Sequence, residues 1–187
     1  MTDKEAVIAI IRALESASIS YMVVGSLSSN VYGIPRSTQD ADFVIELGNV
    51  SLAEFKKRLP DGLEIDPQMS FETVTCTHRY IVKLKGSHFK VELFLLSDDA
   101  HDRERFRRRL RRESLGQSIW LPTAEDVIIT KLHWSKQGRR KKDIDDVLNV
   151  ISVQRDRIDW PYVHRWCDEH GTRELLESVK ASIPPIS

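Results

Sequence analysis

The stretch that decides the fold runs over residues 21–46 and reads YMVVGSLSSNVYGIPRSTQDADFVIE. It begins with an apolar run, predicted as a strand over Tyr21–Val24, which ends at Gly25-Ser26. A short helix is predicted to begin at Ser26 and to reach Tyr32. A second apolar strand is predicted over residues 42–47. The pattern therefore indicates a strand–turn–helix–strand unit.

Asp40 and Asp42 stand where the second strand opens. Because residues i and i+2 of a strand point to the same face, the two carboxylates are expected to lie side by side. Adjacent carboxylates repel each other, and a fold tolerates them poorly without a compensating cation. Hard divalent ions such as Mg²⁺ or Mn²⁺ bind carboxylates together with substrate phosphates. The alternative is a solvated turn that carries two surface acids. The opposite face of the strand is expected in the core: Ala41, Phe43 and Ile45.

The composition is that of an ordinary globular chain. Its 187 residues and 41% hydrophobic content suffice for one core, either as a single domain or as an α/β core over residues 1–97 with a helical region over 98–187 packed on it. The 28 basic and 28 acidic residues cancel, so no global charge draws the chain to nucleic acid. Cys76 and Cys167 fit no zinc or redox spacing. With no signal peptide and no apolar run near the ~20 residues of a membrane span, a cytoplasmic protein is expected.

The remaining elements are predicted from hydrophobic periodicity and turn residues. The first half reads as α/β and the second half as mostly helical. A tight turn is expected at Thr77-His78, between two strands. Helices are predicted over residues 4–17, 51–59, 99–114, 123–135, 141–151, 160–170 and 172–181, and further strands over 71–77, 79–85, 89–96 and 118–121.

Three motifs carry a resemblance to a known family. Residues 32–42, YGIPRSTQDAD, resemble the hG-x-x-R-x-T-x-D-x-D signature of the nucleotidyltransferase superfamily (polymerase-beta-like fold). Residues 122–132 are similar to its P-x-x-E-D-hhhh-K-L helix, and residues 140–147 resemble its R-x-x-K-D-h-x-D-h element. Within the superfamily, the likeness is greatest to small bacterial AbiEii-like and uncharacterised nucleotidyltransferase-like proteins. The resemblance spans residues 20–151 and implies a mixed sheet flanked by helices.

The resemblance also implies the chemistry, which is transfer of a nucleoside monophosphate from an NTP by two metal ions. One ion lowers the pKa of the attacking hydroxyl and the other stabilises the leaving pyrophosphate. The superfamily usually adds a third carboxylate from a neighbouring strand, and Glu92 is the candidate here. Glu92 is an isolated acid within an apolar strand, where a charge is costly unless it is paired or bound to metal. The family more often has Asp at this position, and Glu92 could instead face solvent.

A second group of residues is expected to contact the nucleotide. Gly25 allows the backbone to approach phosphate, and Ser26 and the first amides of the following helix can donate to it. Arg36 is expected either to contact a substrate phosphate or to pair with one of the two aspartates. In relatives, residues of the two later motifs line the nucleotide side of the cleft, which by position are Lys131, Asp143 and Asp146. Their alternative roles are a surface lysine with a solvated ammonium group and an acid that supports a helix start.

The acceptor is less defined by the sequence. The basic segment Arg103–Arg112 lies on the predicted helix 99–114 and is interpreted either as a groove for tRNA or other RNA or as a solvated helix with i,i+4 ion pairs. A protein or a small molecule is also possible as the acceptor. AbiEii-like relatives are toxins of toxin–antitoxin pairs, which implies an antitoxin-type protein partner. The competing hypothesis is a catalytically inactive binding module that retains the fold. In this hypothesis Glu92, at a position where the family more often has Asp, indicates divergence from the catalytic sequence.

Overall fold

The strand–turn–helix–strand unit lies at one edge of a six-stranded mixed sheet. The computed structural model of the chain describes residues 1–73, 75–138 and 140–183. Its helices are α1 (Asp3–Ser16), α2 (Gly25–Tyr32), α3 (Leu52–Lys56), α4 (Ala100–Arg108), α5 (Ala124–Gly138), α6 (Lys141–Gln154), α7 (Trp160–His170) and α8 (Arg173–Ala181). Its strands are β1 (Ser20–Val24), β2 (Asp40–Glu46), β3 (Leu63–Ile65), β4 (Ser70–Glu72), β5 (Thr77–Leu84), β6 (Lys90–Leu95), β7 (Leu110–Ser114) and β8 (Gln117–Leu121).

The main sheet has the strand order β1-β2-β6-β5-β3, and β4 pairs with β5 beside β3. The pairing of β2 with β6 is parallel, and the other pairings in this sheet are antiparallel. Strands β7 and β8 form a separate antiparallel pair. The predicted fold class, a mixed sheet flanked by helices with a mostly helical second half, is confirmed.

The alternation in β2 divides its residues between two environments. Ala41, Phe43 and Ile45 are buried in a core that lies between the sheet and α1, as the sequence predicted. Helix α1 contributes apolar residues at helical spacing, and a capping box of Thr2 and Glu5 begins it. A second core joins helices α5 to α8 and includes Tyr32. The division of the chain into units near residue 97 stays a prediction.

Two element predictions are wrong, and tertiary pairing explains both. No turn occurs at Thr77-His78, because β5 runs through both residues and the chain reverses between Glu72 and Thr77. Cys76, which directly precedes β5, has a φ of 51° in the left-handed region. The predicted helix 99–114 ends at Arg108, and the residues after it form β7.

Residues of β7 have sufficient helix propensity on their own, but each of them pairs with a residue of β8. The short strand β3 was not predicted, since three residues give little periodicity. Among the residues that the structure describes, no helix combines the length and the apolar character that crossing a bilayer requires.

Candidate active site

The three predicted carboxylates lie on one face of the sheet. In the strand register Asp42 pairs with Val24 of β1 on one side and with Glu92 of β6 on the other. Neighbouring strands are about 4.8 Å apart, and Asp40 is two residues from Asp42 on the same strand, so the three side chains share one face. Asp40, Asp42 and Glu92 line a common cleft.

Two neighbours fix the aspartates in this cleft. Thr38 donates a hydrogen bond from its hydroxyl to Oδ1 of Asp40 at 2.7 Å. Gly25 lies directly against Asp42, because a Cβ atom at position 25 would be 2.1 Å from Oδ2 of Asp42. The φ of Gly25 is also +64°, which side chains disfavour. The turn therefore requires glycine for the approach of a carboxylate, in addition to any approach of phosphate.

Asp42 experiences the repulsion that its spacing predicted. The pKa of Asp42 is raised to about 7, first by burial and then by the charges of Asp40 and Glu92, which outweigh the lowering by Lys131 and Arg140. Among the ion pairs of residues 1–73, 75–138 and 140–183, none includes Asp40 or Asp42. This pair of carboxylates consequently has the donor chemistry for a hard divalent cation whose remaining ligands are phosphate and water oxygens.

Glu92 differs from the two aspartates in its partners. It is only 6% exposed, and it accepts a hydrogen bond from Nζ of Lys90 at 2.7 Å and lies 3.3 Å from Nη1 of Arg79. Within the described chain, no three His, Cys, Asp or Glu side chains converge in an arrangement that could hold a metal ion. Its role as a third metal ligand stays a prediction, and it requires Glu92 to exchange these two cations for metal.

All predicted nucleotide-contacting residues except Gly25 form one hydrogen-bonded network. Arg36 makes a two-point contact with Asp146, at 2.8 and 3.0 Å, and donates to the hydroxyl of Ser26 at 2.8 Å. Lys131 lies 2.8 Å from Asp143 and 2.9 Å from Asp146. Arg36 therefore pairs with a distant aspartate of α6 and with neither aspartate of β2.

Burial rules out the alternative role of Lys131. Its side chain is buried together with Asp143 and Asp146, so it is not a surface lysine. Burial by itself would raise the pKa of Asp146, but the hydrogen bond from Arg36 and the charge of Lys131 outweigh it and lower that pKa. The network joins α2, α5 and α6, and it places Lys131 and Ser26 at the wall of the carboxylate cleft.

Several residues of the site escaped the sequence reasoning. Trp134 lines the carboxylate cleft, and Arg79, Arg140 and Lys142 add positive charge to it. Thr38 lies in the quoted motif, and its position two residues before Asp40 was the available signal. Trp134 follows Lys131 by three residues on α5, so the helical period places it on the same side of that helix.

The arginine segment is not one continuous basic face. Its members are distributed over α4 and β7, and most of them have partners within the molecule. Arg105 is buried and lies 2.8 Å from Asp102, while the guanidinium of Arg108 stacks 3.8 Å from the ring centre of Tyr162. Arg109 and Arg111 lie over Trp120 at 5.1 and 5.2 Å.

Known proteins resemble this chain in structure and not in sequence. No protein-family model matches the sequence, and no curated protein matches it. The crystal structure of ANT(2'')-Ia in complex with adenylyl-2''-tobramycin has a TM-score of 0.61 at 10% identity, over 93% of this chain and 99% of that chain. The solution structure of the antibiotic-resistance factor ANT(2'')-Ia has a TM-score of 0.59 at 9% identity, over 96% and 93%.

A third solved structure shares the fold at a slightly higher identity. The antigenic nucleotidyltransferase-like protein from Paracoccidioides brasiliensis has a TM-score of 0.51 at 17% identity, over 98% of this chain and 95% of that chain. At such identities the likeness concerns the fold. This chain has a nucleotidyltransferase-like fold.

Proposed function

We propose that the protein is a metal-dependent nucleotidyltransferase, which moves a nucleoside monophosphate from an NTP to the hydroxyl of an acceptor. The observation that carries the proposal is the pair Asp40 and Asp42, which has no ion-pair partner within the described residues and lies in a cleft that also contains four basic side chains. A carboxylate pair without a protein cation suits Mg²⁺ or Mn²⁺, and the basic side chains suit the phosphates of the NTP. The fold agrees with this activity.

The residues of the cleft have different roles in the proposed reaction. Bound ions would activate the acceptor hydroxyl and neutralise charge on the leaving pyrophosphate. Thr38 orients Asp40, and Gly25 allows Asp42 to lie beside the first turn of α2. In that turn, the amides of Gly25 and Ser26 are suited to donate to the triphosphate. The acceptor oxygen bonds to the α-phosphorus while the bond to the pyrophosphate oxygen breaks, and the hydroxyl proton passes to solvent.

The acceptor is a small molecule, a protein or RNA, and these three proposals differ in their support; an antitoxin-type protein is a proposed binding partner and not an acceptor. The ANT(2'')-Ia complex contains an adenylylated small molecule, which favours a small-molecule acceptor for the related fold. An RNA acceptor on Arg103–Arg112 has less support, because many of those arginines already have intramolecular partners. An antitoxin-type partner rests only on the resemblance to AbiEii-like proteins.

The second candidate function is an inactive binding module with this fold. The observation that favours it is that Glu92 forms ion pairs with Lys90 and Arg79. If these pairs persist, a two-metal centre would lack one carboxylate ligand. The two candidates differ in a measurable quantity, which is the transfer of label from an α-labelled NTP.

A transfer assay tests the proposal directly. The wild-type protein is incubated with each α-³²P-labelled NTP, Mg²⁺ or Mn²⁺ and a mixture of RNA, protein and small-molecule acceptors. The D40N/D42N variant is expected to lose metal-dependent transfer, whereas D61N, which changes an exposed acid in a turn, is expected to retain it. Absence of transfer and of metal-dependent NTP binding in the wild type would favour the inactive module.

A further inference from the structure

A second cavity adjoins the carboxylate cleft on the same face of the sheet. Its floor contains Val24, Val44 and Phe94. Val24 is the register partner of Asp42, while Val44 and Phe94 lie two residues beyond Asp42 and Glu92 on their strands. Two residues of a strand span about 6.5 Å, so a molecule in this cavity can extend a group to the carboxylates.

The two spaces share part of their walls. Thr75, Phe94 and Trp134 line both the cavity and the carboxylate cleft. The volume of the cavity is about 360 Å³. This volume lies in the range of small-molecule sites, roughly 300–1,000 Å³. A compact molecule therefore fits the cavity better than a folded macromolecule does.

The mouth of the cavity is negatively charged. Asp98 and Asp99, in the segment before α4, line it together with Asp102, in the first turn of that helix. Asp98 lies 2.6 Å from Arg103, whereas Asp99 has no ion pair among the described residues. The arginine in the lining, Arg105, is buried and already bonded to Asp102 at 2.8 Å. An anionic acceptor such as RNA would meet repulsion at this rim, whereas an ammonium group would be attracted.

The inner wall contains the hydrogen-bonding rings of three histidines. The rings of His133 and His170 are 4.4 Å apart, and the ring of His101 is 5.2 Å from that of His170. Burial and the two neighbouring histidines lower the pKa of His170 to about 4, so this ring is uncharged at neutral pH. The wall is therefore able to accept hydrogen bonds without repelling a cation.

Three of the buried polar atoms in this wall have no partner among the described residues. They are the hydroxyl of Thr130, which is 7% exposed, and Nδ1 of both His133 and His170. Buried polar atoms without a partner are uncommon and indicate a missing water or ligand group. Together with the apolar floor they give the cavity the few convergent polar groups that are typical of a small-molecule site.

We propose that this cavity binds the acceptor, and that the acceptor is a small hydroxylated molecule with at least one ammonium group. The inference rests on the proposed function. An ammonium group pairs with Asp99 at the mouth and shares Asp98 with Arg103, the body packs on Val44 and Phe94, and a hydroxyl extends to Asp40 and Asp42. In the transfer step this hydroxyl oxygen bonds to the α-phosphorus, pyrophosphate leaves, and the hydroxyl proton passes to solvent.

The test uses probes that differ in their charged groups. Glucosamine and tobramycin carry amines, N-acetylglucosamine and glucose are neutral, and glucuronate and bulk tRNA are anionic. Binding of each probe to the full chain is measured by calorimetry without nucleotide, and transfer is measured with an α-labelled NTP and Mg²⁺. The amines are expected to bind and to accept label, and the neutral and anionic probes are not.

A charge-removing variant makes the test specific for the rim. D98N/D99N is expected to weaken amine binding by about tenfold, which lies within the range for two exposed ion pairs. Asp99 is the N-cap of α4, and asparagine caps helices as well as aspartate does, so the variant is expected to keep that helix start. D61N is the control, and metal-dependent NTP binding is expected to be unchanged in both variants.

The outcomes separate this inference from the proposed function. Amine binding that D98N/D99N weakens, without any nucleotide transfer, would support the cavity and overturn the enzyme proposal. Transfer to tRNA, glucose or glucuronate with no preference for amines would overturn the cavity assignment and leave the enzyme proposal standing. Equal amine binding by D98N/D99N and wild type, or no binding of amines by a protein that binds the NTP, would also overturn the assignment.

Discussion

Asp42 in β2 is partly buried and Asp146 in α6 is buried, yet their pKa values move in opposite directions. Burial and two neighbouring carboxylates raise the pKa of Asp42 to about 7. Asp146 is bonded to Arg36 and Lys131, which lower its pKa in spite of burial. Asp146 is neutralised by direct ion pairs within the protein, whereas Asp42 has no ion-pair partner among the described residues, although basic side chains line its cleft. We infer from the difference that Asp146 contributes to the stability of the fold, and we propose that Asp42 binds a cation from outside the chain.

The largest loss of unfolding free energy is expected when Lys131, an ion-pair partner of Asp146, is replaced. K131M removes the ammonium group that lies against Asp143 and Asp146. It leaves each of these buried carboxylates with one arginine partner, Arg140 for Asp143 and Arg36 for Asp146. Loss of one partner of a buried ion pair costs about 3–5 kcal/mol of unfolding free energy. Urea denaturation measures this loss, and K142M, at an exposed lysine on the rim of the cleft, is the matched control with an expected change within about 0.5 kcal/mol. Equal losses for the two variants would contradict the structural role of Lys131.

A smaller loss of unfolding free energy is expected when the contact between Gly25 and Asp42 is disturbed. G25A introduces a methyl group that would collide with the carboxylate of Asp42, at a φ of +64°. The expected loss is about 2–4 kcal/mol, from left-handed strain and overpacking together. The control is G48A, because Gly48 has a φ of +56° and open space around its Cβ position, so it should show the strain alone, about 1 kcal/mol. Thermal and urea unfolding measure both variants, and similar losses at positions 25 and 48 would show that the carboxylate does not press on the turn.

The pH dependence of stability is expected to reveal the uncompensated carboxylate. The pKa of Asp42 is higher in the folded protein than in the unfolded chain, so the folded state binds more protons between about pH 4 and pH 7. In EDTA, Asp42 should therefore reduce the unfolding free energy as the pH rises through that window. The D42N variant should lack this contribution, and the difference between the two curves is expected to be about 1–2 kcal/mol after allowance for partial exposure. Parallel curves for wild type and D42N from pH 4 to pH 8 would contradict the raised pKa.

The local part of the site was predictable from sequence because it depends on strand and turn periodicity. The spacing of Asp40 and Asp42 determines their common face, and the apolar neighbours of Glu92 determine the face of that residue. The structure confirms the strands that carry them and pairs Asp42 with Glu92 in the parallel register. The role of all three as metal ligands remains a prediction.

The rest of the site depends on contacts between distant segments. Arg36 pairs with Asp146, which is 110 residues away along the chain, and no local pattern selects that partner over Asp40 or Asp42. The end of α4 at Arg108 likewise depends on the pairing of β7 with β8, which outweighs the helix propensity of an arginine-rich segment. Periodicity predicts the elements, and tertiary contacts decide which charged groups are neutralised.

The most direct test of the central claim is the thermal unfolding of wild type and D40N/D42N, each in EDTA and in Mn²⁺ with an NTP. The account predicts that the metal–nucleotide mixture stabilises the wild type, by about 2.7 kcal/mol at a hundred times the dissociation constant, and leaves the variant unchanged. It also predicts that the variant in EDTA is at least as stable as the wild type, since the substitutions remove a repulsion. A variant that is clearly less stable in EDTA, or that is stabilised by the mixture as strongly as the wild type, would contradict the assignment of Asp40 and Asp42 as a cation site.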